Sequence, residues 1–306
     1  MENPPKASRA RVFGLLSAAA LLLAAIAAAG LFERGRRTAA RPDRDAAAWA
    51  GALAELAGRL DAAVVYERGG DIYKLVIGRA APERLASSGS YPRWAPDSQT
   101  VAFLRGNQIM QVPAAGGAAT VLATAGQPRA IAYHPNGAEV LFVEGKAIKA
   151  VAVRDRTVRT VLDGHAFREL DIAADGVRLV TTIKRVLRGF HVVGFDLATG
   201  VEEEFGSGCS ANLSPDGKLV TRNWGSHEEL AILEWESGKV AGVLHAPPGT
   251  AFDNHTWSNA QDWLVSRSEG AAQDILVHEL AADRTTRVTN TGDCDRPDLF
   301  VYRTAP

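Results

Sequence analysis

The sequence has few of the residues on which disulfide scaffolds and compact metal centres depend. Its 306 residues include two cysteines, which excludes a disulfide-rich fold and a cysteine-rich metal site. Positive charge is not in excess, because 34 Lys and Arg stand against 35 Asp and Glu, whereas a nucleic-acid-binding protein would be markedly basic. The patterns HExxH and GxSxG and the phosphate-binding loop are also missing from it. Nothing in the sequence directly supports a metalloprotease, a serine hydrolase or a nucleotide-binding enzyme.

One long hydrophobic run is present near the start of the chain. Residues 12–32 carry no charge, and a helix of this length would span about the thickness of a bilayer's hydrocarbon core. We predict an uncleaved membrane anchor after a short basic tail, residues 1–11; a cleaved signal peptide and a buried helix are the other interpretations. Three basic residues precede the run and five follow it, which taken alone favours a cytoplasmic C-terminal part. The form of a signal anchor favours the opposite orientation, and we predict a single-pass membrane protein with a periplasmic or extracytoplasmic domain.

Residues 33–60 have the composition of a linker followed by a short helix. Asp45 is a candidate N-cap, and residues 47–60 are strong helix formers. The apolar face of this helix would carry Leu53, Leu56 and Leu60. We expect a spacer helix that rests on the next domain; a self-association helix is the other interpretation.

After residue 60 the pattern of hydrophobic residues changes from helical to alternating. Short β-rich runs are separated by Gly, Pro, Asn and Asp at spacings of about ten residues. In five segments a large apolar residue ends one strand, a turn follows and an apolar strand begins. These segments are residues 91–105, 130–143, 169–182, 210–223 and 254–267.

The turns of these segments share their chemistry. A proline fixes φ at the first corner, an Asp or Asn can accept a hydrogen bond from the backbone, and a glycine supplies positive φ. The residues concerned are Pro96, Pro135, Pro215, Asp97, Asn136, Asp175, Asp216, Gly137, Gly176 and Gly217. Asn136 and Asp175 are 39 residues apart, and Asp175 and Asp216 are 41 apart. A unit of about 40 residues with four short strands predicts a blade of a β-propeller.

The length of the repetitive part predicts the number of blades. Residues 61–306 number 246, which is about six units of this size. Residues 62–86 supply three strands without an inner strand, and residues 295–302 resemble an inner strand with nothing after it. The predicted fold is therefore all-β: a six-bladed propeller of four-stranded antiparallel blades, closed by pairing the N- and C-terminal strands, and preceded by the transmembrane helix.

Three of the repeated segments resemble those of a known family. YPRWAPDSQTVAF (91–103), NLSPDGKLV (212–220) and NHTWSNAQDWLV (254–265) are similar to the WD-like repeats of TolB-type six-bladed β-propellers. The resemblance covers about 240 residues, all but the predicted anchor and linker. The repeats lack the Gly-His and Trp-Asp pairs of true WD repeats, and Ala174 replaces the turn proline in one of them. The resemblance implies a periplasmic or extracytoplasmic propeller that binds proteins or peptides, or that accompanies an enzyme domain.

Aligning the repeats places polar residues at one mouth of the central channel. The predicted ligand contacts there are Arg129, Arg168, Glu169, Asp253, His255, Asp295 and Arg296. Arg129 and Arg168 lie on one side, and Asp253 and Asp295 lie toward the other. This arrangement suits a zwitterionic or peptide-terminal group, because arginine binds carboxylates and aspartate binds amines. The other interpretation is that these charges pair with one another around a water-filled channel.

The same region contains the residues that could hold a metal. Asp253, His255, Asp293 and Asp295 could supply ligands for a divalent ion such as calcium, but their spacing is not diagnostic. We therefore predict no cofactor, no metal ligand and no catalytic residue. Cys209 and Cys294 are expected to be unpaired thiols near the channel, since they lie two inner strands apart.

The predicted function is that of an interaction or scaffold module. The propeller would bind a protein or peptide partner in the bacterial cell envelope, attach to the membrane through its N-terminal helix, and bind no nucleic acid. The alternative is an enzyme, a polysaccharide lyase or a glycoside hydrolase, with a site at Arg168, Asp253, His255 and Asp295. A third hypothesis is a purely structural or sensory domain.

Overall fold

A computed structural model describes residues 46–79 and 81–304 of the chain. The predicted basic tail, the predicted anchor at residues 12–32 and the predicted N-cap Asp45 lie outside these residues. Among the helices that are described, none combines the length and the apolar character needed to cross a bilayer.

The described strands form six four-stranded antiparallel sheets, as predicted. Each sheet is a blade, and its strands follow one another from the channel outwards. Blade 1 contains β24 (Cys294–Thr304), β1 (Leu60–Arg68), β2 (Asp71–Val76) and β3 (Glu83–Ala86). Blade 2 contains β4 (Ser90–Trp94), β5 (Thr100–Arg105), β6 (Gln108–Pro113) and β7 (Thr120–Thr124). Blade 3 contains β8 (Pro128–Tyr133), β9 (Glu139–Glu144), β10 (Ala147–Ala152) and β11 (Val158–Asp163).

The second half of the ring repeats this order. Blade 4 contains β12 (Phe167–Ile172), β13 (Arg178–Arg185), β14 (Gly189–Asp196) and β15 (Glu202–Ser207). Blade 5 contains β16 (Asn212–Leu213), β17 (Leu219–Trp224), β18 (Glu229–Glu234) and β19 (Val240–His245). Blade 6 contains β20 (Ala251–Trp257), β21 (Trp263–Glu269), β22 (Ile275–Glu279) and β23 (Arg284–Arg287), with a 3-10 turn at Leu280–Ala282.

Blade 1 is assembled from both ends of the described chain. β24 pairs with β1 in antiparallel register, with Ala62 opposite Val301 and Val64 opposite Leu299. The prediction that residues 62–86 and 295–302 share a blade is therefore confirmed. This pairing leaves no unpaired edge at the inner side of the first blade, because the inner strand arrives from the other end of the chain.

The apolar core is divided among the junctions between blades. Six buried clusters are described, and each joins two neighbouring blades. Phe103 of blade 2, for example, is buried in one cluster with Val65 and Ile72 of blade 1. Because burial of such a side chain contributes about 2–3 kcal/mol, a blade without its neighbours would lose most of its stabilisation.

Helix α1 (Ala46–Arg59) packs on the outside of the ring closure. Leu56 is 1% exposed in the cluster between blades 1 and 6, and Leu53 packs against it. Leu60, which was predicted on the same helix face, is instead the first residue of β1, because the helix ends at Arg59. The indole nitrogen of Trp49 donates a hydrogen bond to the carbonyl oxygen of Arg287, at 3.0 Å. The helix thus rests on the propeller as predicted, and its leucine face is not free for self-association.

The repeated turns form the predicted hydrogen bonds. The side-chain oxygens of four turn residues accept backbone N–H groups two residues further on: Asp97, Asn136, Asp175 and Asp216. Gly137, Gly176 and Gly217 have φ of 71°, 70° and 69°, as the turn requires. Gly217 also lies against the preceding blade, because a Cβ atom there would come within 2.9 Å of the Cβ of Ala173.

Two glycines at the same position of the repeated turn allow the effect of backbone strain on stability to be separated from the effect of packing. Gly137→Ala introduces only the strain of positive φ, because nothing lies within 4 Å of the added Cβ. We expect it to lower the free energy of unfolding by about 1 kcal/mol. Gly217→Ala adds the clash with Ala173 and should lower it by roughly 1 kcal/mol more. Urea unfolding of both variants measures the difference, and equal losses would contradict the junction between blades 4 and 5.

Candidate functional site

The six inner strands surround a narrow central channel. Each of five contains an irregularity near its start, and four residues at the same repeat position have positive φ. These are Tyr91 (52°), Ser210 (57°), Asn254 (46°) and Arg296 (45°). A β-bulge turns a side chain away from the regular alternation. All four residues line the constricted mouth, together with Ala130 and Glu169.

Below the mouth, short polar side chains tie neighbouring inner strands together. A carboxylate oxygen of Asp298 accepts the N–H of Trp94 at 2.6 Å, and one of Asp171 accepts the N–H of Leu213 at 2.9 Å. The amide oxygen of Asn212 accepts the N–H of Trp257. These bonds satisfy backbone donors that face the channel, and they hold the inner strands at fixed spacing.

The predicted acidic side of the mouth is built around an arginine that the sequence analysis missed. The guanidinium of Arg267 on β21 contacts Asp253, lies 3.1 Å from Oε1 of Glu269, and lies 3.5 Å from Oδ1 of Asp295. Arg267 is 9% exposed. Asp253 and Asp295 therefore lie together as predicted, but three carboxylates share one buried cation. The sequence does contain a signal for this residue, because Arg267 is a charged residue in the segment that forms β21, which begins with the apolar residues 263–265.

Arg296 is held inside the mouth by two partners. Its guanidinium lies 3.7 Å from the centre of the Tyr91 ring, and its Nε lies 3.2 Å from Oε1 of Glu67. The same carboxylate oxygen of Glu67 accepts the N–H of Tyr91 at 2.6 Å. Burial raises the pKa of Glu67, and the positive charge of Arg296 opposes this rise. Arg296 thus lines the mouth as predicted, with its charge paired to a residue of β1 that the sequence analysis did not single out.

Two other predicted contacts are engaged within the protein. One oxygen of Glu169 accepts hydrogen bonds from the hydroxyl of Thr182 at 2.6 Å and from the N–H of Ser210 at 2.7 Å. His255 is 3% exposed, and its Nε2 shares a hydrogen bond with the hydroxyl of Thr221 at 3.0 Å. Burial lowers the pKa of His255 to about 3, so its ring is neutral. His255 thus lines the mouth as predicted, with its Nε2 bonded to blade 5.

The remaining two predicted contacts, both arginines, form no ion pair within the described part of the chain. Arg129 is exposed on β8 and Arg168 is half-buried on β12, and neither forms an ion pair with any residue that the structure describes. They occupy equivalent positions on the neighbouring blades 3 and 4. Each directly precedes a residue that lines the mouth, Ala130 and Glu169 respectively, whereas the acidic residues Asp253 and Asp295 are tied to Arg267.

The four residues predicted as a calcium site do not converge. Asp293 lies 3.4 Å from Arg68, and His255 is buried against Thr221. Within the described part of the chain, the close group of candidate metal ligands is His227, Asp253 and Glu269, whose ligand atoms lie within 4.8 Å of one another. Arg267 contacts both of its carboxylates, and its positive charge would compete with a metal ion for them.

At the opposite end the channel opens into a wider chamber of about 940 Å³, counted out to open solvent. Asp171 and Asp298 line it, and Arg93 lies where it meets the mouth. Both carboxyl groups are half-buried in its wall. Burial raises the pKa of each to about 6, while the nearby charge of Arg93 opposes the rise.

This raised pKa predicts a pH dependence with a definite sign. Folded Asp298 retains its proton up to about pH 6, whereas the carboxyl of the unfolded chain ionises at lower pH. Ionisation of Asp298 therefore lowers the free energy of unfolding, and this loss is zero at low pH and complete above pH 6. Asp298→Asn keeps an acceptor for the N–H of Trp94, as Asn212 does at the equivalent position. Relative to the unaltered chain, the variant should gain up to about 3 kcal/mol at pH 7.5 and nothing near pH 3.5, by urea unfolding.

A turn residue provides a control of opposite sign. The pKa of Asp216 is lowered because hydrogen bonds from Ser214 and the N–H of Lys218 outweigh its desolvation. Asp216→Asn should therefore destabilise the protein at pH 7.5 more than at pH 3.5. If Asp298→Asn followed the same trend, the carboxyl groups of the chamber would not be desolvated.

Comparisons with known proteins identify the fold. No family model matches the chain, and no curated protein matches it. Among solved structures, TolB from Acinetobacter baumannii aligns with a TM-score of 0.64 at 18% identity, over 80% of this chain and 68% of that chain. A chain of the nidogen/laminin complex aligns at 0.62 with 11% identity (80% and 100%), and the putative TolB from Agrobacterium tumefaciens at 0.60 with 13% identity (80% and 99%). These alignments establish a TolB-like propeller fold, and at identities this low they establish the fold alone.

Proposed function

We propose that this TolB-like propeller is a protein- or peptide-binding module of the bacterial cell envelope, tethered to a membrane by residues 12–32. Its ligand would present a carboxylate, either an acidic side chain or a C-terminus. The observation that carries the proposal is that Arg129 and Arg168, which directly precede the mouth-lining residues Ala130 and Glu169, form no ion pair with any described residue. Two guanidinium groups on a rigid rim can bind a carboxylate through charge-assisted hydrogen bonds.

The opposite side of the mouth suits a cationic group of the same ligand. Asp253, Glu269 and Asp295 share the single charge of Arg267, so this side keeps an excess of negative charge. An amine or a basic side chain would be attracted to it. Because both sides belong to one closed ring, the ligand meets them at fixed spacing and little ordering is required on binding.

The fold is compatible with protein recognition. A chain of the same architecture is part of the nidogen/laminin complex, which is an assembly of two different proteins. The likeness to TolB structures and the hydrophobic run at residues 12–32 together support a location outside the cytoplasm.

The enzymatic alternative has less support from the geometry. A lyase or glycoside hydrolase needs an acid and a base directed at its substrate. Asp253 and Asp295 are both engaged by Arg267, and His255 is neutral and buried against Thr221. We therefore do not place polysaccharide cleavage at the mouth.

Peptides with free and with amidated C-termini test the proposed carboxylate site. The full chain in detergent micelles is screened against an array of such pairs, and the Kd of the best pairs is measured by fluorescence anisotropy. Amidation should weaken binding at least tenfold, about 1.4 kcal/mol, where the terminus is the group bound. Arg129→Glu/Arg168→Glu should abolish the binding of the free peptide.

A matched variant controls for the change in total charge. Arg154→Glu/Arg156→Glu alters two arginines in the turn between β10 and β11, at the outer side of blade 3. It should bind like the unaltered chain. Equal loss of binding in both double variants would refute the proposed site. So would a chain that binds each amidated peptide as tightly as the free one and binds acidic ligands no better than neutral ones.

Removal of residues 1–37 tests the tether. The shortened chain should appear in the soluble fraction of an expressing bacterium, whereas the full chain should sediment with membranes and resist extraction by high salt. Persistent membrane association of the shortened chain would show that the propeller itself makes the attachment.

A further inference from the structure

A thiol, an imidazole and a carboxylate lie in line at the rim of the channel mouth, where blade 5 meets blade 6. Sγ of Cys209 lies 3.6 Å from Nε2 of His227, and Nδ1 of His227 lies 3.2 Å from Oε2 of Glu269. Cys209 precedes β16, His227 lies between β17 and β18, and Glu269 ends β21. The fold alone brings these three residues together, and the proposed binding function uses only the negative charge of Glu269.

The carboxylate end of this series is fixed in position. Oε1 of Glu269 accepts a hydrogen bond from Arg267 at 3.1 Å, so its other oxygen faces His227. A carboxylate next to Nδ1 favours the imidazole tautomer that carries its proton there. Nε2 is then an acceptor, and the S–H of Cys209 is the donor within reach.

The backbone at His227 is also constrained. His227 has φ of 67°, a value that residues other than glycine rarely adopt. Its N–H donates to the carbonyl oxygen of Trp224 at 3.1 Å, and its own carbonyl oxygen accepts the N–H of Phe252 at 2.6 Å. Strained backbone of this kind is maintained only where the surroundings enforce it, and it is concentrated at functional sites.

The surroundings keep Cys209 protonated at rest. Burial raises the pKa of its thiol to about 11, and the carboxylates of Glu169 and Asp253 add to the rise. The sulfur therefore resembles the hydroxyl of a serine nucleophile, which is neutral until a neighbouring base takes its proton. His227 is the base in contact with it.

An open pocket of about 970 Å³, counted out to solvent, lies beside Cys209 and His227. Arg188 and Arg222 contribute positive charge to its wall, and Phe190 and Trp224 contribute aromatic surface. The guanidinium of Arg222 lies 5.4 Å from the centre of the Trp224 ring. Such a pocket suits an acyl group that carries a negative charge and some apolar surface.

We propose that Cys209 is a nucleophile for acyl transfer, with His227 as its general base and Glu269 as a positioning residue. The substrate class is a thioester or activated ester of an anionic acyl group. A bond forms between Sγ and the acyl carbon, the bond from that carbon to the leaving sulfur or oxygen breaks, and His227 passes the thiol proton to the leaving group. Water then hydrolyses the enzyme thioester, with His227 taking a proton from the water and returning it to Sγ.

Acylation of the full chain by an anionic ester, mono-4-nitrophenyl glutarate, tests this proposal. Release of nitrophenolate and mass spectrometry of the labelled peptides should show one acyl group on Cys209 and none on Cys294, which is 0% exposed. Cys209→Ala should abolish acylation, His227→Gln should slow it at least tenfold, and Glu269→Gln should slow it less and alter its pH profile. Cys294→Ala and His245→Gln, an exposed histidine of β19, should react like the unaltered chain.

The pH profile of the unaltered chain provides a test that needs no variant. An unassisted thiol with a pKa of about 11 would be alkylated by iodoacetamide tenfold faster for each pH unit between pH 6 and 9. With assistance by an imidazole, the rate should instead rise with pH only in the lower part of this range and then level off. The tenfold slope, or a His227→Gln variant that folds and reacts at the unaltered rate, would overturn the proposal.

A metal-binding role is a separate outcome with its own readout. If micromolar zinc protected Cys209 from iodoacetamide and the protection required Asp253, the same residues would serve as ligands, and the nucleophile would be refuted. None of these results bears on peptide binding through Arg129 and Arg168. Failure of the acyl-transfer proposal is therefore distinguishable from failure of the proposed binding function.

Discussion

The structure depends on the fact that no blade can bury both of its faces alone. A four-stranded sheet with apolar residues on both sides must be covered on both sides, and here each cover is the next blade. Around a ring this requirement can be met everywhere only if the last blade meets the first. The pairing of β24 with β1 satisfies it and also completes the inner strand of blade 1. Helix α1 then covers the outside of that same junction.

Closure of the ring has a chemical consequence at the channel. Six inner strands bring polar side chains from distant parts of the chain within a few ångströms of one another, in surroundings that water reaches only through the lumen. Charges there must be paired or must alter their protonation. Arg267 and Arg296 show the first outcome, and Asp171 and Asp298 show the second. Arg129 and Arg168 form no ion pair with a described residue, and the proposed binding function rests on this difference.

Much of the fold could be predicted because it depends on local interactions that recur in each repeat. The Pro, Asp or Asn, and Gly of each turn act on their own backbone, so the turns at residues 96–98 and 135–137 form as expected without reference to the rest of the chain. The site was less accessible to the same reasoning. Alignment of the repeats found Asp253 and Asp295 at one level but could not show that Arg267, from a second strand, lies between them. It also placed His255 among the mouth residues, where the structure has it, but could not show that Nε2 of this ring is bonded to Thr221 of blade 5.

The sequence by itself determined the period of the repeat, the number of blades and the joining of the first and last strands, because each follows from residue spacing and from turn and strand preferences that act over a few residues. Only the tertiary structure decided which charges are neutralised and which are free, and only it aligned Cys209, His227 and Glu269 across two blades. The physical reason is distance. Hydrogen bonds and ion pairs act over a few ångströms. Cys209 and His227 are 18 positions apart in the chain, His227 and Glu269 are 42 apart, and no local pattern indicates which of these atoms the closed ring brings into contact.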